Sequence, residues 1–468
     1  MKKLILGILL IIPFLNSAQW IQQGIDIEGL INENTGDALS LNSDGSIVAI
    51  AFNIDSPSKG IIRIYTNTSG NWVQIGSDIE RLFKKNNSLS LSSNGLTVAI
   101  GSDQYDNWKG AVGIYTYLNG NWIQVGSDIY GNVTNDQLGD SVSLNSDGSV
   151  VAIGGSGFDN FKGTTRIYEN TNGNWVQVGQ DINGVDSSEG FGFSVSIGNT
   201  GSTVAIGAHG HDNKGTTRIY TNIDGNWVQV GSDIDGLVND KSGYSVSLSS
   251  DETTVAIGSP DHDNYKGTTR IYTNISGNWV QVGSDIDGLV NDRSGYSVSL
   301  SSDGSVVAIG AEEHDLSIGT TRIYNNINDN WVQLGLDIDG DVVSDLFGYY
   351  LNLSSDGTTV AITARGHDNF KGTNRIYKNL TLSIQKNTFG VQFSVYPNPS
   401  FGSSKIHLGA NYKEVTVQVY TILGKLVSTQ KHSNTNEISL DTQKFTNGIY
   451  IVKVESGTKK ASLKLVVK

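Results

Sequence analysis

The sequence predicts an all-β protein: a seven-bladed propeller of four-stranded blades, followed by a separate second unit. Three observations predict it. Seven tryptophans, Trp20, Trp72, Trp122, Trp175, Trp227, Trp279 and Trp331, stand 52, 50, 53, 52, 52 and 52 residues apart, and a period near 50 signals stacked or radially repeated units. Each period breaks into short alternating runs bounded by turn residues. Fifty-six glycines against five prolines suit an all-β chain with many tight turns. Only Trp108 falls outside the tryptophan series.

Residues 227–278 show one period. Trp227-Val-Gln-Val-Gly alternates apolar and polar positions, the pattern of a half-buried strand. A long loop follows, 232–243. Tyr244-Ser-Val-Ser-Leu248 alternates again, and its small residues place it innermost, lining the axis. Ser249-Ser-Asp-Glu252 turns the chain; the equivalents Asn145-Ser-Asp-Gly148 and Ser301-Ser-Asp-Gly304 are hairpin signals. Thr254-Val-Ala-Ile-Gly258 is the next strand. After a loop through 259–266 comes Gly267-Thr-Thr-Arg-Ile-Tyr272, and 275–278 turns into the next Trp strand, which lies outermost.

On this register Trp20–Ile25 precedes any complete blade. It is expected to pair with Gly372–Lys378 and close the ring, which removes two open sheet edges. The alternative, an open solenoid, needs capping repeats at both ends. The loop after each Trp strand and the loop before each Gly-Thr-Thr-Arg share one face. That face holds the long loops and the variation, where binding sites concentrate.

Charge divides the chain. Residues 381–468 hold 11 Lys and no Arg against four acids, whereas 19–380 hold 19 basic against 42 acidic residues. The expected units are a signal peptide at 1–18, a propeller at 19–380, a linker at 381–390 and a second domain at 391–468. Met1-Lys2-Lys3, the apolar run Leu4–Leu15 and Ala18 make the signal peptide. No later run is apolar enough to span a membrane. The acidic balance argues against nucleic acid. With no cysteine, disulfides and thiolate metal sites are excluded.

The long-loop face carries the candidate ligand-binding residues. Asp233, Asp235 and Asp240 recur as Asp285, Asp287 and Asp292, and as Asp337 and Asp339, with Asp345 after them. The second loop carries His211, His262, His314 and His367, each followed by Asp. An acidic rim could bind cations or sugar hydroxyls; alternatively each Asp satisfies backbone N–H groups of its own turn. Arg63, Arg166, Arg218, Arg270, Arg322 and Arg375 recur in a strand and are expected to pair with an Asp of a neighbouring blade. The second repeat departs: Ile79-Glu-Arg-Leu-Phe-Lys-Lys-Asn-Asn87 replaces the Asp-Gly loop, either as a notch in the rim or as drift. No phosphate loop, His-Glu-x-x-His or Gly-x-Ser-x-Gly is present. No catalytic residues are singled out, no cofactor is expected, and the chain reads as a non-enzyme.

Phe191-Gly192 with Gly207-Ala208, Tyr244 with Gly258-Ser259-Pro260, and Phe347-Gly348 resemble the FG-GAP repeats of integrin-alpha-like propellers. Calcium-binding members carry Asp-x-Asp-x-Asp-Gly in a hairpin. Here that turn is only Ser-Asp-Gly, too short to wrap a hard cation. The tail residues Phe393-Ser-Val-Tyr396-Pro397-Asn398-Pro399, Val415–Gly424-Lys425, Gly448-Ile-Tyr450 and Lys464–Lys468 resemble the type IX secretion C-terminal sorting domain of Bacteroidetes. That resemblance implies an immunoglobulin-like β-sandwich, recognition by the type IX machinery, passage through the periplasm, and a secreted or surface-attached product. The expected task is binding or adhesion to an extracellular glycan or protein. The alternatives are a polysaccharide-processing enzyme with its site at the axial mouth, and a structural matrix component.

Overall fold

A computed structural model describes residues 20–30, 33–55, 58–81, 88–379, 389, 393–421, 426–446, 448–457 and 459–468. The expected signal peptide and nearly all of the expected linker lie outside them. Contacts divide the chain into two units, 1–378 and 379–468.

The first unit is a ring of seven antiparallel sheets. In the fifth blade the strands run outward as Ser245–Leu248, Thr254–Ser259, Thr268–Ile275 and Asn278–Gln281. Innermost strands of successive blades pack side by side, and the first, Glu33–Leu41, meets the last, Phe347–Leu353. The core lies between blades. Val255 and Ile257 pack against Ala205 of the preceding blade, while Ala256 packs against Val307 and Ile309 of the following one. Alanine on one face of the Val-Ala-Ile strand makes room for the neighbour's Val and Ile, as close packing requires.

The two serines of the innermost strand stitch blades together. Ser245 Oγ donates to the Gly295 carbonyl at 2.9 Å, and Ser247 Oγ accepts the Leu300 N–H at 3.0 Å. The pattern breaks in the seventh blade, where Tyr350 and Asn352 replace the serines. Asn352 Oδ1 still accepts, from Leu41 N–H at 2.7 Å.

Each of the seven periodic tryptophans donates its indole N–H to a carbonyl of the preceding blade, as Trp279 does to Val230 at 3.0 Å. Its ring covers Gly231, which has φ +75°; a Cβ there would stand 3.2 Å from the indole Cδ1, so both backbone and space favour glycine. Trp20–Gln22 pairs with Thr373–Asn379 and completes the last blade, with Gln23 N–H donating to the Ile376 carbonyl at 2.7 Å.

Two features differ from the sequence expectation. The outer edge is double: after Asn278–Gln281 the chain returns as Ile286–Asp287 along the same third strand, pairing with Thr269 and Thr268. Asp235, Asp287 and Asp339 therefore lie on strands rather than in a loop. The adjacent Ile234, Ile286 and Ile338 are buried and anchor these edges. The second long loop holds a left-handed turn, with φ of 44°, 57° and 65° at Asp263, Asn264 and Tyr265. Asp and Asn tolerate that region better than other side-chain-bearing residues.

The second unit is a five-stranded sheet. Its longest strand, Ser403–Thr421, breaks register between His407 and Tyr412. Residues from both sides of the break, Ile406 and Leu408 with Val417 and Val419, enter one core with Val452 and Val454. The small β-sandwich is thus one sheet folded over itself. Phe389, assigned to the linker from sequence, belongs to this core and stacks on Phe393 at 5.2 Å.

Candidate functional site at the axial mouth

The rim carboxylates are largely engaged by arginines. Arg270, in the third strand, donates from Nε to Asp285 of its own blade at 2.7 Å and from Nη1 to Asp240 of the incoming connector at 2.9 Å. Arg322 repeats this with Asp337 and Asp292, both at 2.8 Å. Arg218 does so with Asp233 at 2.7 Å and with Glu189. The histidines complete the latch: His262, His314 and His367 place Nδ1 at 2.8, 2.7 and 3.0 Å from Asp240, Asp292 and Asp345, and His211 lies 3.4 Å from Glu189. Burial pushes Asp240 and Asp292 upward. Bonds from Leu237 N–H, His262 and Arg270, and from His314, Leu289 N–H and Arg322, outweigh it and hold both below the usual carboxylate range.

Asp235, Asp287 and Asp339 stay exposed. With Asp233, Asp285 and Asp337 and with His211, His262 and His314, they form three groups whose ligand atoms lie within 4.8 Å. In each group the first Asp already carries a guanidinium Nε. On the opposite face Asp303 Oδ1 accepts from its own turn, from Ser305 N–H at 3.0 Å and Ser301 Oγ at 2.7 Å.

The second repeat keeps this electrostatic plan by a swap. Gly113 stands where other blades have the strand arginine. A Cβ there would lie 1.8 Å from Arg81 Nη1. Arg81, from the irregular basic stretch, fills the vacated place, 3 % exposed, with Nη1 3.2 Å from both Asp128 and Tyr115 Oη. Arg81 thus has a structural task in its blade, while 82–87, the rest of the stretch, lie outside the described residues.

The blades do differ at the long-loop mouth of the axis. The residue after the connector glycine is Asp37, Asp140, Phe193, Tyr244, Tyr296 and Tyr349 in blades one, three, four, five, six and seven. The aromatics form a continuous arc: Phe193–Tyr244, Tyr244–Tyr296, Tyr296–Tyr349 and Tyr349–Tyr350 have ring centroids 5.0, 4.8, 4.9 and 5.1 Å apart. Arg365 lies 4.8 Å over Tyr349 and binds Asp37 at 2.8 Å. Asp140 accepts Ser156 Oγ at 2.5 Å. The arc and the two carboxylates enclose a cavity of 320 Å³.

Burial raises the Tyr244, Tyr296 and Tyr350 phenols, so they stay neutral hydroxyls. Tyr350 keeps 37 % of its surface exposed and lines the channel mouth. Behind the arc, burial raises Glu312 to about 8, against the pull of Arg293 at 3.7 Å. Sequence reasoning named the axial mouth only as the place of an alternative, catalytic site and singled out none of the residues of this site. Its signal was the single variable position between Gly and Ser-Val-Ser-Leu, which was read only as part of the repeat.

In the tail, Asn398 Oδ1 accepts Val466 N–H at 2.9 Å, Ser404 Oγ donates to the Pro397 carbonyl at 2.7 Å, and Lys468 N–H donates to the Ser400 carbonyl at 3.0 Å. The Tyr396-Pro397-Asn398-Pro399 segment is thereby fixed to the last strand, with Tyr396 exposed. Gly448 opens the strand 448–456 and Tyr450 is buried, its hydroxyl on the Thr446 carbonyl at 2.8 Å. Gly424 and Lys425 lie outside the described residues.

Residues 394–468 match the secretion system C-terminal sorting domain. The sorting domain supports export by type IX secretion, as a secreted or surface protein, and implies contact with that machinery. No helix among the described residues is long and apolar enough to cross a membrane. Among curated proteins none matches the chain.

Solved structures similar to it include a "putative 6-phosphogluconolactonase" of Bacteroides uniformis, at 12 % identity and TM-score 0.50, over 65 % of this chain and 86 % of that one. A Bacteroides fragilis protein of the same description has 13 % identity and TM-score 0.49, over 65 % and 85 %. Kuenenia stuttgartiensis hydrazine synthase has 11 % identity and TM-score 0.49, over 73 % and 95 %. At such identities the likeness speaks to the fold alone.

Proposed function

We propose that this exported propeller is a glycan-binding module and that its ligand sits in the axial mouth. The observation that carries the reading is the asymmetry there: an arc of neutral aromatic rings on blades four to seven faces Asp37 and Asp140 on blades one and three. Aromatic faces suit the C–H faces of sugar rings, while phenols and carboxylates suit hydroxyls. A concave mouth of 320 Å³ fits a saccharide better than a flat protein surface.

The rim is the weaker binding surface, because its buried carboxylates already hold arginines and repeat with the blades. Export through the sorting domain supports an extracellular glycan as the encountered ligand. The test is binding of the mature chain to immobilised neutral and acidic polysaccharides, with Tyr296→Ala as the control. Retention that survives this substitution contradicts the reading. Turnover of a retained polysaccharide would replace binding by catalysis at the same mouth.

A further inference from the structure

The fourth blade is one residue short. Between the end of its second strand and the next glycine, Ala208 to Gly215, the chain takes one step fewer than from Ser259 to Gly267 in the fifth blade. The missing residue is the tip of the left-handed turn, filled elsewhere by Trp108, Phe161, Tyr265, Ser317 and Phe370, all with φ between 60° and 66°. Where that side chain would stand, beside the fifth blade's turn, a cavity of 620 Å³ opens on the long-loop face. It falls within the roughly 300–1,000 Å³ of small-molecule sites.

The lining chemistry is specific. Asn213, Asn239 and Asn264 offer amides that both donate and accept. Tyr265 presents a ring that is 51 % exposed. The charges are matched locally: of the lining residues Lys241 stands against Asp261 and Asp263, Asp261 pairs with Lys241 at 3.0 Å and Arg293 at 2.6 Å, Arg293 also lies 3.5 Å from Glu313, and Lys266 pairs with Asp263. No cationic surplus remains for phosphate or uronate, and too little apolar wall for a lipid. His209 forms the partition. It lines this cavity, while its ring packs 4.3 Å from Phe193 and 5.8 Å from Tyr244, which line the axial mouth. Burial lowers His209 to about 4, so the partition is neutral.

We propose that this lateral cavity is a second subsite of the axial mouth and that the ligand is a neutral oligosaccharide crossing His209, not a single sugar. The inference rests on the glycan reading above. Its test uses the full mature chain and a printed array of neutral glucan, mannan, xylan and galactan oligosaccharides of one to six units, with oligouronates as the acidic arm.

One variant inserts a tyrosine between Asn213 and Lys214, restoring the length found in the fifth blade. A second, Tyr265→Ser, keeps all lengths and installs the residue found at Ser317. The wild type is expected to bind longer neutral chains at least roughly tenfold tighter than the shortest bound one. Both variants are expected to bind long chains at the short-chain level while keeping short-chain affinity. Unchanged length dependence in both overturns the lateral subsite and leaves the axial reading standing. Preference for oligouronates overturns the neutral assignment. Failure of the wild type to bind any glycan overturns both.

Discussion

Trp20 Nε1 donates to the carbonyl of Leu334, 314 residues away, at 2.9 Å. It is the same bond that Trp72 makes to Gln23 and Trp331 makes to Val282, so the ring closes with the contact that joins any two blades. Removing residues 20–28 is expected to expose the edge of strand 373–379 and to yield oligomers in size-exclusion chromatography. Trp72→Phe, which loses the indole donor and part of the ring that packs on the core, should cost about 2 kcal/mol and stay monomeric.

Arg81 and Gly113 form a testable exchange. Gly113→Arg forces a second guanidinium against Arg81. Arg81→Ala leaves the largely buried Asp128, at 17 % side-chain exposure, without its guanidinium. Each single change is expected to destabilise by about 3 kcal/mol. The double variant, which restores the arrangement of the other blades, should recover most of the loss. Additive losses in urea unfolding would show that Arg81 does not replace the strand arginine.

Stability should depend on pH in two opposite ways. Asp240 and Asp292 are held below their ordinary value, so their contribution is complete above about pH 4 and fades as pH falls through the folded values. Glu312 is raised to about 8. The folded state therefore keeps a proton that the unfolded state loses above about pH 4.5, and stability declines as pH rises toward 8. Glu312→Gln is expected to match the wild type near pH 4.5 and to exceed it at pH 8, on the order of a few kcal/mol. Melting curves at both values check it; equal melting at pH 8 would remove the buried-acid account.

Deleting 394–468 should leave the protein in the periplasm, detected by fractionation. Normal appearance at the surface would contradict the role of the sorting domain.

Much of the ring was legible because it rests on local repetition. The tryptophan period fixed the blade length, and the small Ser-Val-Ser-Leu strand identified the axis. Trp20 declared the closure by standing alone ahead of the first complete blade. What was not legible is non-local. Arg81 replaces a residue 32 positions later, which no pattern at either position reveals. Arginine–aspartate pairs were expected across blades, but that Arg270 takes both Asp285 of its own blade and Asp240 of the connector, leaving little of either for a ligand, follows only from the assembled strands. The aromatic arc takes five residues from four repeats, and only the ring brings Phe193 and Tyr349 to the same mouth. The missing turn residue after Asn213 is plain in the sequence, but its consequence, a cavity, needs the neighbouring blade.

The most direct measurement is a calorimetric titration of the mature chain with the best glycan found on the array. It compares the wild type, Tyr244→Ala with Tyr296→Ala, and charge reversal of the exposed Asp235, Asp287 and Asp339. The axial account predicts at least a roughly tenfold loss of affinity, about 1.4 kcal/mol, in the aromatic pair and none in the rim variant. Loss in the rim variant with full binding by the aromatic pair would contradict it.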